Sequence, residues 1–575
     1  MSVVHTWSSL VPIWVLYFVF ITGSVGYFHY EVTTWMKPEI AHVAGSIDDT
    51  VMIEHADEFL SENAAGASRW IINLPNDRKD TANLRWFRDI SPEERRELSA
   101  DEQEALRDSH SGAVDLNPVS GAVYGEEVRA TGGGDVLYTM HYVLHYLPRS
   151  LAEHIVVICT ILMFAALVTG IIIHKKIFKD FFTFRPAKGQ RSWLDVHNIF
   201  SVMTLPFQLM ITYSGMLFYV ATIMPLVAYG PAVTLGFDIE NALDANSIDD
   251  LSPKNRELYD VVIEDVLGAA APVAPAGVKA DTVPLSQMLS DYDSRHPDKR
   301  AATIVLQNVY DANATATIRS STGMTRSAYV TEDYDATTGE WLPKPSTASA
   351  GSVSGDVQQV FLALHEGRFS PIALRWLYFL TGLAGAAMIA SGAVLWVRKR
   401  RQAYEAELKR FAKKRSDADE AQAPKIGKGV IFVERMNVAT IIGLPIGVAA
   451  YFLANRLIPV GLEERGSLEA DAMFIAWALT FVVAIIRPHA RIWSELMWLA
   501  CAAYAAIPFV NALTTNRHLG VSLPAGDWMM AGFDLTMLAI AALFGLAAQR
   551  SAAKQGAAKP SRKPLFQQPI ADPAE

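Results

Sequence analysis

Long apolar stretches alternate with polar ones along this chain, and their lengths separate two kinds of element. Windows of about 20 apolar residues, the length a helix needs to cross a bilayer, fall at 8–30, 150–173, 197–224, 371–397, 430–456, 470–487, 491–512 and 527–548. Two polar stretches interrupt them. In the first, residues 55–60 read as helix and 69–74 as strand. In the second, 285–292 reads as a short helix, and the β-branched and aromatic runs 302–306, 315–319 and 328–331, broken by Asn, Asp and Gly, predict an antiparallel sheet. Residues 335–341 read as a turn into one more strand. The pattern predicts a mainly α, polytopic membrane helical bundle of about eight spans carrying two small α+β modules. Its divisions are a first span in 1–30, a module in 31–140, two spans in 141–224 with a basic loop at 174–192, a second module in 225–365, a fourth span in 366–400, a linker in 401–428, four spans in 429–550 and a disordered tail in 551–575.

Basic residues orient the bundle. Lys175, Lys176, Lys179, Arg185, Lys188 and Arg191 crowd one loop, and Arg398-Lys399-Arg400-Arg401 follows the fourth span. The positive-inside rule puts both on the cytoplasmic face. Both termini are then expected in the cytoplasm and both polar modules outside. The first span lacks a basic n-region, and Tyr27-Phe28-His29-Tyr30 offers no small-residue cleavage site, so it is expected to remain as an anchor.

Composition narrows the chemistry. Hydrophobic residues make up 51% and charged ones 19% of the 575, which fits a lipid bilayer as surroundings, and the formal net charge of −10 argues against nucleic acid as a partner. The two cysteines, Cys159 and Cys501, both lie inside apolar spans. That leaves no disulfide framework, no thiolate metal site and no Cys-x-x-Cys-His attachment of haem. No glycine-rich phosphate loop opens a helix after a strand, so no Rossmann-type nicotinamide or flavin domain is expected.

The remaining chemistry rests on histidines. His5 and His197 each open an apolar stretch, and each is followed 17 and 18 residues later by a hydroxyl–glycine pair, Thr22-Gly23 and Ser214-Gly215. Gly134-Asp135-Val136 leads to Leu144-His145 before one span, and Gly355-Asp356-Val357 to Leu364-His365 before another. The first four spans therefore read as an internal duplication with a histidine at each membrane face of each copy. An ionisable residue held at a span is a functional residue by default. The arrangement predicts two bis-histidine haem b sites, His5 with His197 on the cytoplasmic side and His145 with His365 on the other, whose irons these residues ligate. His141 and His154 stand as alternatives to His145, and His174 as an alternative to His5. The competing reading of any one of them is an ordinary hydrogen-bonded histidine, and the symmetry weighs against it. Small pairs such as Thr169-Gly170 and Ser391-Gly392 let a helix or a flat macrocycle approach closely.

Several segments resemble a known family. His5-Thr6-Trp7 with Thr22-Gly23-Ser24, the loop from His174-Lys175-Lys176 to Phe184-Arg185-Pro186, and Arg191-Ser192-Trp193-Leu194-Asp195-Val196-His197-Asn198 are similar to PepSY-associated transmembrane proteins. The run from Glu434-Arg435-Met436 to Asn455-Arg456-Leu457 resembles the C-terminal extension of longer members. The resemblance implies PepSY-like modules in the periplasm, a bacterial inner-membrane location, and reduction of ferric siderophores or related ferric chelates by a haem-dependent reductase fed by quinol or a separate protein. Reduction suits iron release because hard oxygen donors hold Fe(II) less well than Fe(III). The rival expectations are a PepSY-type binding or regulatory protein and a transporter of iron chelates.

Overall fold

A computed structural model describes residues 2–40, 47–88, 98–99, 102, 106, 109–125, 127–173, 190–219, 273–320, 330–343, 353–414, 423–462 and 464–557. Helices α1 (Ser2–Leu10) and α2 (Ile13–Gly26) meet at 61° around Pro12, and α3 (His29–Met36) follows. After the first polar segment come α5 (Gly133–Tyr142) and the long α6 (Arg149–Ile173). Helices α7 (Gln190–Met203) and α8 (Leu205–Leu217) meet at 68°, with Pro206 in the first turn of α8. Proline explains both bends: it has no N–H to continue the ladder, yet is tolerated in a first helical turn. α10 (Val353–Glu366) leads to the 43-residue α11 (Ile372–Lys414). The C-terminal part consists of α12 (Lys428–Ile441), α13 (Gly443–Leu457), α14 (Arg465–Ile486), α15 (His489–Thr514), the short α16 (Leu519–Ser522) and α17 (Trp528–Ala557).

Among the described residues, six helical stretches are long and apolar enough to cross a membrane, and the two bent pairs bring the total to eight. The chain is a multi-pass membrane protein, with spans where the apolar windows put them. Two windows are angular rather than straight.

The polar segments differ from expectation. The first gives α4 (Asp49–Asn63) and strands β1 (Arg69–Asn73), β2 (Ala82–Phe87) and β3 (Gly112–Leu116). The second gives α9 (Leu285–Arg295) and strands β4 (Ala301–Gln307), β5 (Thr315–Ser320), β6 (Thr331–Asp335) and β7 (Trp341–Leu342). Instead of two separate modules they form one antiparallel sheet, ordered β3-β2-β1-β4-β5-β6-β7. The join is β1 against β4, with Trp70 opposite Leu306 and Ile72 opposite Ile304. Apart, each half would present an unpaired edge strand; together they remove both. α4 and α9 cover one face. Asp48 caps α4 by accepting from the Thr50 and Val51 amides at 3.0 and 3.4 Å. Met52, Ile53, Ala56 and Leu60 of α4 and Leu285, Met288, Leu289 and Tyr292 of α9 then meet Trp70, Ile72, Leu84, Ile304 and Leu306 in a shared core.

A buried ionic cluster ties the last spans to the first half. Arg465 and Glu469, both fully buried, pair within α14. Asn455 Nδ2 donates to Glu469 Oε1 at 2.8 Å, and Arg129 donates to the Asn455 carbonyl at 2.8 Å and to Glu39 at 2.7 Å. Thr131 bonds Glu469. Next to it, Arg456 donates to Asn511 at 2.8 Å, Asn511 to Asp534 at 3.1 Å, and the Trp35 indole to Asp534 at 3.0 Å. Most of these charges sit at span ends on the side that carries the sheet.

Candidate functional site: a paired-histidine chamber

At the sheet-side end of the first spans lies a cavity of about 350 Å³, walled by α2, α5, α6, α8, α10 and α11. His141 from α5 and His365 from α10 enter it with ring centroids 5.9 Å apart and planes tilted by 45°. The His141 Nδ1 donates to the Val19 carbonyl at 2.8 Å. A carbonyl only accepts, so Nδ1 carries the proton and Nε2 keeps its lone pair. His365 Nδ1 lies 2.9 Å from Ser214 Oγ, which spends its own proton on the Met210 carbonyl at 2.6 Å. Its Nε2 is left in the same state. Burial lowers the pKa of both imidazoles, that of His365 to about 3 with His141 adding to the effect. Both rings are therefore neutral, the form that ligates metals.

The same device holds His5 and His197. His5 Nδ1 donates to the Ala166 carbonyl at 2.9 Å, with Thr169 Oγ1 at 3.4 Å. His197 Nδ1 donates to the Met388 carbonyl at 3.0 Å, with Ser391 Oγ at 3.2 Å. In three cases the accepting carbonyl lies three residues before a Ser or Thr that precedes Gly, Val19 before Thr22-Gly23, Ala166 before Thr169-Gly170 and Met388 before Ser391-Gly392, and in the fourth His365 meets the hydroxyl of Ser214, which precedes Gly215. Each hydroxyl folds back onto its own helix. The glycine makes room for the ring. A Cβ on Gly23 would collide with His141, whereas on Gly170, Gly215 and Gly392 it would come to 3.3, 3.3 and 3.4 Å of His5, His365 and His197.

Two helices carry both levels. Thr160 of α6 and Gly382 of α11 line the chamber, while Gly170 and Gly392, each ten residues further on, contact His5 and His197. At 1.5 Å per residue this sets the His5 and His197 contacts about 15 Å further along α6 and α11.

The other predicted candidates fall elsewhere. His145 lies past the end of α5, with its ring stacked on Phe474 at 5.3 Å and 9°, so the structure sets His141 rather than His145 opposite His365. His154 is exposed on α6 and bonds the carbonyl of its own Ser150 at 2.6 Å. His174 lies outside the described residues. Among the described residues no three His, Cys, Asp or Glu side chains converge as for a bare metal ion. Sequence reading missed the rim. Tyr27 OH donates to the His365 carbonyl at 3.1 Å, Tyr219 OH to the Tyr142 carbonyl at 3.1 Å, and Tyr138 OH to Glu366 at 3.3 Å. Arg149, exposed at the mouth, donates to Glu153 at 2.8 Å. The only prior signal for these residues is that tyrosines gather at span ends.

No curated protein matches the chain. The model of the PepSY-associated TM region matches residues 2–399, which take in both bent spans, the sheet and all four fixed histidines. With more than half of its length matched, the chain belongs to the PepSY-associated TM family.

Proposed function

We propose that this protein carries electrons across the membrane through two b-type haems and reduces ferric siderophores or related ferric chelates on the side of the sheet. The observation that carries the reading is the fourfold device: four imidazoles, each with Nδ1 hydrogen-bonded to a helix carbonyl or hydroxyl, beside a glycine that opens space for a flat group. His141 and His365 would hold one haem. Metal–imidazole bonds are about 2 Å long, and ring centroids 5.9 Å apart would leave room for one metal held by both imidazoles. His5 and His197 would hold the other, and Arg149 would meet a propionate at the chamber mouth. His141 thus stands in place of His145, the first-named candidate.

When bound, a haem held by these imidazoles would supply a one-electron couple. The residues of this chain fix the ligand tautomers, set the two levels about 15 Å apart along α6 and α11, and close the upper chamber with tyrosines. The repeated device also supports descent of the first four spans from a duplication. The basic loop and Arg398 to Arg401 support a cytoplasmic donor side, which leaves the sheet in the periplasm of a bacterial inner-membrane protein, with quinol or a separate reductase as donor.

Protein made with ample haem and purified in detergent tests this. It should carry two haems per chain, with a sharp reduced-minus-oxidised spectrum, and the reduced form should be reoxidised by a ferric chelate. A colourless protein would return the chain to a binding or regulatory role.

A further inference from the structure

A second cavity, of about 310 Å³, lies where α3 meets the other face of the sheet. Strand alternation makes its floor. Ala82, Leu84 and Leu116 turn into the module core, so Asn83, Arg85 and Asp115 turn the opposite way. Lys37, Arg78 and Lys79 complete a wall in which cations and carboxylates are unevenly matched. Asp115 accepts from Lys37 Nζ at 3.0 Å and from Asn83 at 3.0 Å. Asp135 is held by His29 Nδ1 at 2.6 Å. Arg78 is bidentate on Glu31 at 3.0 and 2.8 Å. Asp80 has a contact of its own. Among the described residues no carboxylate lies within ion-pair distance of the Lys79 ammonium or the Arg85 guanidinium; the latter instead lies 5.1 Å from the Phe87 ring centre. Burial pulls the pKa of Lys79 down, and the more distant Asp115 only partly restores it.

We propose that this cavity is an anion site for a small, oxygen-rich polycarboxylate or its ferric complex, with Lys79 and Arg85 as the contacting cations. The volume sits at the small end of ligand pockets, roughly 300–1,000 Å³, which limits the occupant to a compact polyanion. An arriving carboxylate stabilises two cations that the protein leaves without a contact ion. The cavity is also wired to the histidine chamber. Tyr30 lines this cavity and Tyr138 lines the chamber. Between them His29 lies 3.9 Å from Tyr30 and 5.1 Å from Tyr138, centre to centre, at 37° and 22°. An anion in the cavity is thus two ring contacts from the chamber that holds His141. The importance of that link rests on the haem reading; the anion site does not.

Isothermal titration of the full-length protein in detergent, with citrate and then ferric citrate as probes, tests the site. One site is expected, weakening as salt is raised. Lys79→Ala and Arg85→Ala should each weaken it by about tenfold, the loss of one charge-assisted bond, and Lys279→Ala should leave it unchanged. No citrate or ferric citrate binding by the wild-type protein overturns the proposal, and so does full-strength binding by the Arg85→Ala protein, whose substitution lies at an exposed position. Haem content read on the same samples keeps the two ideas apart. Haem-loaded protein that ignores both probes removes the anion site alone, and haem-free protein that binds them removes the haem reading alone.

Discussion

Replacing His141 or His365 by alanine should cost the protein about half of its haem and leave the other half spectrally intact, because loss of an axial ligand opens one site of two. Each of these rings faces the same chamber, and neither has a nearby substitute, since His145 is stacked on Phe474 and His154 points outward. His5→Ala and His197→Ala should remove the complementary half. Pyridine-haemochrome content and low-temperature difference spectra separate the two. Unaltered haem in His141→Ala with loss in His145→Ala would reverse the assignment. Glycine substitutions give a finer check. Gly23→Ala drives a Cβ into His141 and should perturb the upper haem strongly, while Gly215→Ala, with its nearest approach at 3.3 Å, should be tolerated far better.

Arg465→Ala should be the most destabilising change in the C-terminal spans, by about 3–5 kcal/mol, the cost of leaving a buried charge without its partner. Glu469 is fully buried and would keep only Thr131 and Asn455. Arg465 also bonds the carbonyls of Asn455 and Ala130, so its loss loosens the attachment of α14 to the first half at several points. Glu469→Gln keeps the shape and most hydrogen bonds and should cost less. Thermal unfolding in detergent checks the order, and a loss below about 1 kcal/mol for Arg465→Ala, the range of an exposed pair, would mean that the cluster is hydrated.

What the sequence disclosed followed physical range. The spans are legible because 20 apolar residues have few other uses, and β1, β4 and β5 because β-branched runs bounded by Asn and Gly are local signals. β2 went unread: Ala82-Asn83-Leu84-Arg85 alternates over too few residues amid charged neighbours. The β1–β4 join is invisible in either partner alone, which is why one sheet was expected as two modules. The choice between His141 and His145 turned on where α5 stops. It ends at Tyr142, and Tyr146 takes a positive φ of 64°, whereas α10 runs through His365. His141 stands six residues after Asp135 and His365 nine after Asp356, so the two stretches differ by almost one helical turn, and matching Leu144-His145 to Leu364-His365 followed letters instead of geometry. The ionic cluster was hidden because arginine and glutamate at a span end look the same whether they snorkel to water or pair inside.

Strand β1 meets its partner late in the life of a new chain. Trp70 opposes Leu306, 236 positions further on, and two spans must be threaded between them. At ribosomal speeds of about 5–20 residues per second, the first polar segment waits on the order of ten to fifty seconds with one strand edge open. An open edge is a template for mispairing with any neighbour in the same state. A factor that covered this edge would protect the half-made sheet, and forced overproduction should lose protein by aggregation of half-made sheets before insertion of the spans becomes limiting.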